Sequence, residues 1–309
     1  MKILPVKKSV CILIILLAAG SLNYVFGQGC SDAGFCTINS LKTSYDTDPE
    51  ADILNQIKVG FSNGKADYNI DIWAAHLEYS RLVKDKFSFA LKLSSISQSG
   101  NSITAAGLSD VFISTTYLGI EGADFTAGFK LPLNNGNKKK DGLPLPMDYQ
   151  SSLGTIDLIM GVGYTIKKLR FTLAVQQPLT QNKNTFFAED YSQDSKLNGF
   201  QSTNKYVRKG DALFRISYGI GNKEKLIVTP GLLAIYHLAD DEYTNAGGME
   251  MAIDGSQGLT LNGNVFVGYS INQSNMLELS FGTPFITRKA RPDGLTREYI
   301  VTLEYSIKF

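Results

Sequence analysis

The 309-residue chain has 30 basic and 29 acidic side chains, a formal charge of +1, with 19% charged and 43% hydrophobic residues. With no basic block beyond Lys138, Lys139 and Lys140, this balance excludes nucleic acid as a partner, because phosphate neutralisation needs clustered lysine and arginine. Those three lysines lie between Asn134-Asn135-Gly136-Asn137 and Asp141-Gly142, the composition of a solvated loop.

The first element is an export signal. Lys2, Lys7 and Lys8 precede an uncharged apolar run from Val10 to Ala19, followed by Ser21, Asn23 and Gly27, the order of a secretory signal peptide over residues 1–27. The run is about half of the roughly 20 residues that span a bilayer as a helix. Cleavage after Val25-Phe26-Gly27 starts the mature chain at Gln28 and removes Cys11. Gly27-Gln28-Gly29 lacks the leucine of a lipidation signal before Cys30. Cys30 and Cys36 remain as an even pair in an exported chain, which predicts a disulfide closing a small loop. Residues 28–53 form an N-terminal segment that either stays in the periplasm or enters the lumen of the domain C-terminal to it.

From residue 54 to 309 the chain is a succession of period-2 segments separated by turn residues, an all-β pattern. Twelve strands are predicted, near 54–62, 67–81, 86–97, 106–120, 124–133, 151–166, 168–178, 207–221, 225–238, 257–271, 275–287 and 296–309. In the last, Tyr299, Val301, Leu303, Tyr305, Ile307 and Phe309 share one face, while Glu298, Thr302, Glu304, Ser306 and Lys308 share the other. Most segments exceed the roughly 5–6 residues usual in soluble sheets and reach the roughly 9–11 that cross a bilayer at a tilt. Connections alternate between tight turns near 84–85, 121–123, 167, 222–224 and 272–274 and mostly longer ones near 63–66, 98–105, 134–150, 179–206, 239–256 and 288–295. That alternation belongs to a transmembrane antiparallel β-barrel. Two irregularities are expected: a bulge near Ala74-Ala75, or a strand partly above the membrane, where the faces are mixed, and another at Pro284, which has no ladder donor.

The terminal segment Ile300-Val301-Thr302-Leu303-Glu304-Tyr305-Ser306-Ile307-Lys308-Phe309 resembles the C-terminal signal by which outer-membrane barrels are recognised by their assembly machinery, with Leu303, Tyr305, Ile307 and Phe309 as its alternate apolar residues. Gly107-Leu108-Ser109-Asp110-Val111-Phe112, Ala127-Gly128-Phe129-Lys130-Leu131-Pro132 and Leu153-Gly154-Thr155-Ile156-Asp157-Leu158, in that order, are similar to the barrel family named after the meta-pathway of phenol degradation. That family is loosely similar to the FadL-type hydrocarbon and fatty-acid transporters. The resemblance implies the outer membrane of a Gram-negative bacterium, its lipid and the barrel-assembly machinery as partners, and uptake of a small, apolar or aromatic solute. The chain departs from the larger FadL pattern in its twelve strands and short N-terminal segment. Its composition and the Cys30/Cys36 segment resemble proteins of the Bacteroidota.

Lys92, Asp110, Lys130, Asp157, Arg170, Gln176, Arg215 and Glu278, with Glu304 and Lys308, fall on the polar face of their strands and are expected to line the lumen. Charges of both signs there either pair to fill a narrow barrel or set solute preference in a channel. Neither histidine, His76 or His237, sits in a nucleophile motif, and a hydrolase on a barrel wall needs serine and histidine in reach; no enzyme activity and no cofactor are expected. His237 reads as an interfacial side chain. Gly161-Val162-Gly163 and Gly219-Ile220-Gly221 read as small residues on a crowded inner face rather than nucleotide loops. Asp240-Asp241-Glu242 and Glu189-Asp190 read as solvated loop charge, since a calcium site wants six to eight converging oxygens. Two functions remain: passive uptake of a small solute, or a structural or adhesive barrel whose loops meet a surface partner through Phe186, Phe187, Tyr191, Phe200 and Tyr206.

Overall fold

A computed structural model describes Ile38, Leu41 and residues 55–84, 86–222, 225–293 and 298–309. The signal peptide and the Cys30–Cys36 disulfide lie outside the described residues. The barrel strands, in chain order, begin with β1 (Asn55–Ala66), β2 (Ile70–Val83), β3 (Phe87–Gly100), β4 (Ile103–Ile120) and β5 (Ala123–Pro132). Two short strands, β6 (Lys139–Lys140) and β7 (Leu143–Pro144), then form a loop hairpin. The wall resumes with β8 (Asp157–Ile166), β9 (Leu169–Pro178), β10 (Asp211–Tyr218), its short continuation β11 (Ile220–Asn222) and β12 (Leu226–His237). After a second loop hairpin, β13 (Glu242–Thr244) with β14 (Glu250–Ala252), come β15 (Gly258–Ser270), β16 (Asn275–Ile286) and β17 (Tyr299–Lys308).

Counting β10 and β11 as one, twelve antiparallel strands pair with their neighbours all the way round, and β1 on β17 closes the ring. Tight turns gather at the end that holds Asn55 and Phe309, and the long connections lie at the other end, the mouth. Seven outward-facing aromatics from six strands, Tyr79, Phe87, Tyr164, Tyr218, Tyr269, and Tyr305 with the adjoining Phe309, are exposed near the tight-turn end. Between them and the mouth the outer face is aliphatic and aromatic, including Phe61, Leu77, Leu91, Ile113, Phe129, Leu173, Leu232 and Leu279. A contiguous apolar surface of this size is tolerated by lipid and not by water.

The strand boundaries differ from expectation where tertiary contacts decide them. Residues 63–66 belong to β1 rather than to a loop, and β3 and β4 are joined by a tight turn at Asn101 and Ser102. Residues 151–156 leave the wall, because Ser151, Ser152, Leu153 and Thr155 are buried in a cap of loops at the mouth. No bulge occurs at Ala74-Ala75: the registers of β2 on β1 and β3 run through without a shift. The mixed faces arise because Ile70 and Ile72 turn inward onto the cap. The irregularity at Pro284 is present, with a register shift that leaves Phe285 unpaired opposite Leu261-Asn262. A further bulge sets Ser109 and Asp110 against Ser94.

Closure rests on the last residue as well as on β17. The backbone N–H of Phe309 donates to Asn55 O at 2.9 Å and that of Asn55 to Phe309 O at 3.0 Å. Leu303, Tyr305, Ile307 and Phe309 all face outward, the Phe309 residue 58% exposed. Deleting Phe309 removes one closing pair and the end of the apolar stripe, and it should lower the yield of membrane-embedded barrel. Heat-modifiable mobility on gels reads this directly; an unchanged folded fraction refutes it.

Candidate functional site in the barrel lumen

Alternation places one side chain in two inside the ring, and crowding there makes the charged ones lie along the wall. Near the tight-turn end Arg170 on β9 grips Asp124 on β5 across β8 with both nitrogens, Nη1 to Oδ2 at 2.7 Å and Nη2 to Oδ1 at 3.0 Å. The strand between supplies Gly163, where a Cβ would come 2.3 Å from Arg170 Nη2. His76 on β2 reaches Glu304 on β17 at 3.1 Å across β1, over Gly60, in the same way. Lys92 Nζ stands 4.0 Å from Glu78 Oε2, and Glu278, half-buried, pairs in register with Glu304.

Halfway along, the lumen is apolar. Ile38 and Leu41, from the N-terminal segment, pack inside the barrel with Phe112, Ile159, Ala174, Leu213 and Leu233. Arg215, buried in the wall, donates from Nη1 to Leu41 O at 2.7 Å. Gly161 makes room, since a Cβ there would come within 2.7 Å of Leu41 Cδ2.

At the mouth the long connections fold inward as a cap. Their apolar layer joins Leu145, Tyr149, Phe186, Ala188, Leu197 and Phe200 to Ala66, Ile70, Ile72, Ile103 and Ala105 of the wall. Tyr68, at φ 55° in the β1–β2 turn, stacks on Phe200 at 3.9 Å between ring centroids. A bulky residue in the left-handed region is strained, and this contact holds it there.

The polar layer of the cap is a chain of buried ion pairs. Lys130 Nζ lies 2.8 Å from Asp157, which also accepts from Gln176 and stands 3.7 Å from Arg208. Arg208 pairs with Asp211. His237 places Nδ1 2.7 Å from Asp211 and Nε2 2.8 Å from Asp241; a carboxylate only accepts, so both ring nitrogens carry a proton. The Tyr206 hydroxyl donates to Asp241 at 2.7 Å, and Arg288 pairs with Asp293 at 2.9 Å. Burial works against the charge of Arg208, but Asp211 and Asp157 outweigh it and raise its pKa. Burial, then the neighbouring Asp241 charge, pushes the Tyr206 hydroxyl well above its ordinary range. Asp110 accepts from Ser152 at 2.6 Å and Ser109 at 2.7 Å. It borders, with Lys130, Gln98 and Asp293, a cavity of about 30 Å³.

Of the residues expected inside, Lys92, Asp110, Lys130, Asp157, Arg170, Gln176 and Arg215 are buried on the inner face, and Lys130, Asp157 and Gln176 meet in one cluster. Strand alternation does not single out Arg208, Asp211, Asp241, Arg288 and Asp293 as lumen residues. The expectations for His237 and Asp241 are corrected: neither is interfacial or solvated, because the loops that carry their partners turn into the barrel. The i, i+4 spacing of His237 and Asp241 is the available signal. Among the described residues no cluster of histidine, cysteine and carboxylate could hold a metal ion. With both nitrogens of His237 against carboxylates, neither is placed to activate a serine.

Asp241→Ala should open the cap. It leaves the Tyr206 hydroxyl, His237 Nε2 and the Lys209 N–H without their acceptor, and removing one member of a buried pair costs about 3–5 kcal/mol. Faster hydrogen exchange over 200–210 and 238–256, with the wall unchanged, is the expected result. The cap should also respond to pH. Burial works against the charge of Asp293, but Arg288 and Arg208 outweigh it and hold its carboxyl below the usual range, so its contribution is complete above about 3.9 and lost as pH falls through the folded value. Asp148 is pushed up to about 7 by burial, then by Asp67 and Asp293, against its own backbone N–H and Arg291. The residue as a whole is half-buried. A raised carboxyl weakens the folded state as pH climbs from the unfolded value to the folded one. Protection of 143–150 and 287–293, corrected for intrinsic exchange, should therefore be greatest at roughly pH 4, and Asp148→Asn should remove the decline toward pH 8.

No protein-family model and no curated protein sequence matches the chain. Among solved structures it is similar to an outer membrane channel from Pseudomonas putida F1, with 14% identity over 83% of this chain and 96% of that one, at a TM-score of 0.56. The CymD monoaromatic hydrocarbon channel aligns over 92% of this chain and 94% of its own, with 10% identity and a TM-score of 0.47. The first likeness is one of fold. Together with the apolar outer face and the closed twelve-strand ring, it places the chain among the β-barrels of the Gram-negative outer membrane.

Proposed function

We propose that the protein is a channel for passive uptake of a small solute across the outer membrane, held shut at rest by the cap and by the N-terminal segment. The observation that carries this reading is the contact of Leu41 inside the barrel: an apolar cluster and the hydrogen bond from Arg215 hold it there. A filling made of a non-covalently seated segment is removable, whereas wall residues are not. The polar wall on either side, with Arg170, Asp124, Lys130 and Asp157 paired along it, suits a water-filled path once the filling moves. The apolar belt formed by Phe112, Ile159, Leu213 and Leu233 gives an apolar or aromatic solute a place to pause. Signal-peptide cleavage after Gly27, the Cys30–Cys36 disulfide and assembly through the outward stripe ending at Phe309 belong to the same proposal.

The second reading is a structural or adhesive barrel. Its support is the β13–β14 hairpin, which presents Met249 and Met251 to solvent. Against it, Phe186, Phe200 and Tyr206 are buried in the cap rather than displayed.

Liposome swelling separates the two. Protein lacking residues 28–53, and the Arg215→Ala variant, should admit small solutes several-fold faster than the intact chain. Charge reversal at Arg170 or Asp157 should shift preference between anions and cations. If folded protein of either kind admits nothing above empty liposomes, the channel reading fails and the adhesive one stands.

A further inference from the structure

The lumen is not uniformly charged. The inward residues of β12 and β15, which include Thr229, Gly231, Leu233, Thr260, Asn262 and Asn264, carry no charge short of His237 at the mouth. Within this neutral strip Thr229, Asn262 and Asn264 are buried. Among the described residues, both amide atoms of Asn262, Oδ1 of Asn264 and Oγ1 of Thr229 have no hydrogen-bond partner.

These atoms belong to one patch. Asn262 and Asn264 are two apart on β15, about 6.6 Å along the strand. Thr229, opposite Phe266, is the diagonal neighbour of Asn264, which faces Gly231. Gly282 on β16 allows the Asn264 amide to lie against the wall, since a Cβ there would come 2.8 Å from its Nδ2. The row then continues into the apolar cluster: Leu233, directly across from Asn262, packs with Leu41, Ile38 and Leu213.

Buried donors and acceptors are almost always paired, and leucine at 262 would bury no unpaired group. An asparagine whose donor and acceptor both lack partners, beside a second amide oxygen and a hydroxyl, is matched by a group that accepts and donates from adjacent atoms. A primary carboxamide does this: its carbonyl accepts from Asn262 Nδ2 while its NH2 donates to Asn262 Oδ1 and to Asn264 Oδ1. A carboxylate cannot, because it only accepts. We propose that Asn262, Asn264 and Thr229 form a recognition site for a small uncharged solute with a primary carboxamide head. The proposal rests on the channel reading for its meaning, and its test does not require transport.

The probes are nicotinamide and nicotinate at pH 8, equal in shape and different in head group, added to the purified full-length barrel in detergent. Saturation-transfer NMR should show several-fold greater transfer to nicotinamide than to nicotinate. Thr229→Val should reduce it, and the double variant Asn262→Leu, Asn264→Leu should abolish it. Because those leucines remove unpaired polar groups, the double variant should keep its folded band and unfold at a temperature no lower than wild type, which a purely structural role for the amides does not allow. Should it fail to fold, Thr229→Val decides. Equal transfer to both probes, an unchanged nicotinamide signal in the variants, or no signal in wild type overturns the site. Wild type that binds nicotinamide, while the protein lacking residues 28–53 folds but admits no solute to liposomes, keeps the site and loses the channel. Wild type that conducts other solutes without binding nicotinamide loses the site alone.

Discussion

Lipid offers no hydrogen bonds, so every backbone N–H and C=O inside the bilayer has to find its partner within the chain. Here the ladders run from β1 to β17 and back, with Phe309 and Asn55 exchanging the final pair. An open edge anywhere in this ring would leave a row of donors and acceptors facing hydrocarbon. Closure in turn assigns each residue a side. The outward half meets lipid and is apolar; the inward half meets other side chains in a confined space and is mostly polar.

Confinement explains the arrangement of the interior. Charged side chains on neighbouring or next-neighbouring strands lie flat and satisfy one another, as Arg170 does with Asp124 over Gly163 and His76 with Glu304 over Gly60. Glycine opposite a long side chain is thus a positional device of this wall. The same device at Gly161 accepts Leu41, so the wall and the filling are shaped to each other. Pairing is incomplete at single atoms of several lining residues, among them Arg170, Thr172 and Gln176, whereas at Asn262 both amide atoms are left over, beside Asn264 and Thr229.

The cap follows a different physical rule. Taking Arg208, Asp211, His237, Asp241 and Asp293 out of water carries a large desolvation penalty, and well-packed apolar residues often stabilise as much or more. What the ion pairs add is mutual dependence. Asp241 joins Tyr206, Lys209 and His237, Asp211 joins His237 to Arg208, and Asp157 joins Arg208 to Lys130 of the wall. Two loops and the rim are therefore held by shared partners, and loss of one partner loosens several contacts at once. A closure of that kind suits a mouth that opens as a unit.

Much of this was legible in the sequence. Period-2 alternation with strands long enough to cross a bilayer, the two classes of connection and the terminal Phe309 stripe defined a transmembrane barrel of twelve strands, because side-chain direction in a strand is a local property. The same alternation put Lys92, Asp110, Lys130, Asp157, Arg170, Gln176 and Arg215 on one face, and the missing donor of Pro284 marked a break in the ladder. Only the tertiary structure decided where the loops go. Residues 151–156 and the joining of the short-range pairs Arg208–Asp211 and His237–Asp241 into one cluster, through Asp157, Asp211 and Tyr206, depend on contacts between distant parts of the chain. Loop sequences carry no period from which a direction can be read. A polar loop residue looks the same whether it faces water or a matching charge, and folding of the loops into the barrel mouth is what distinguishes the two.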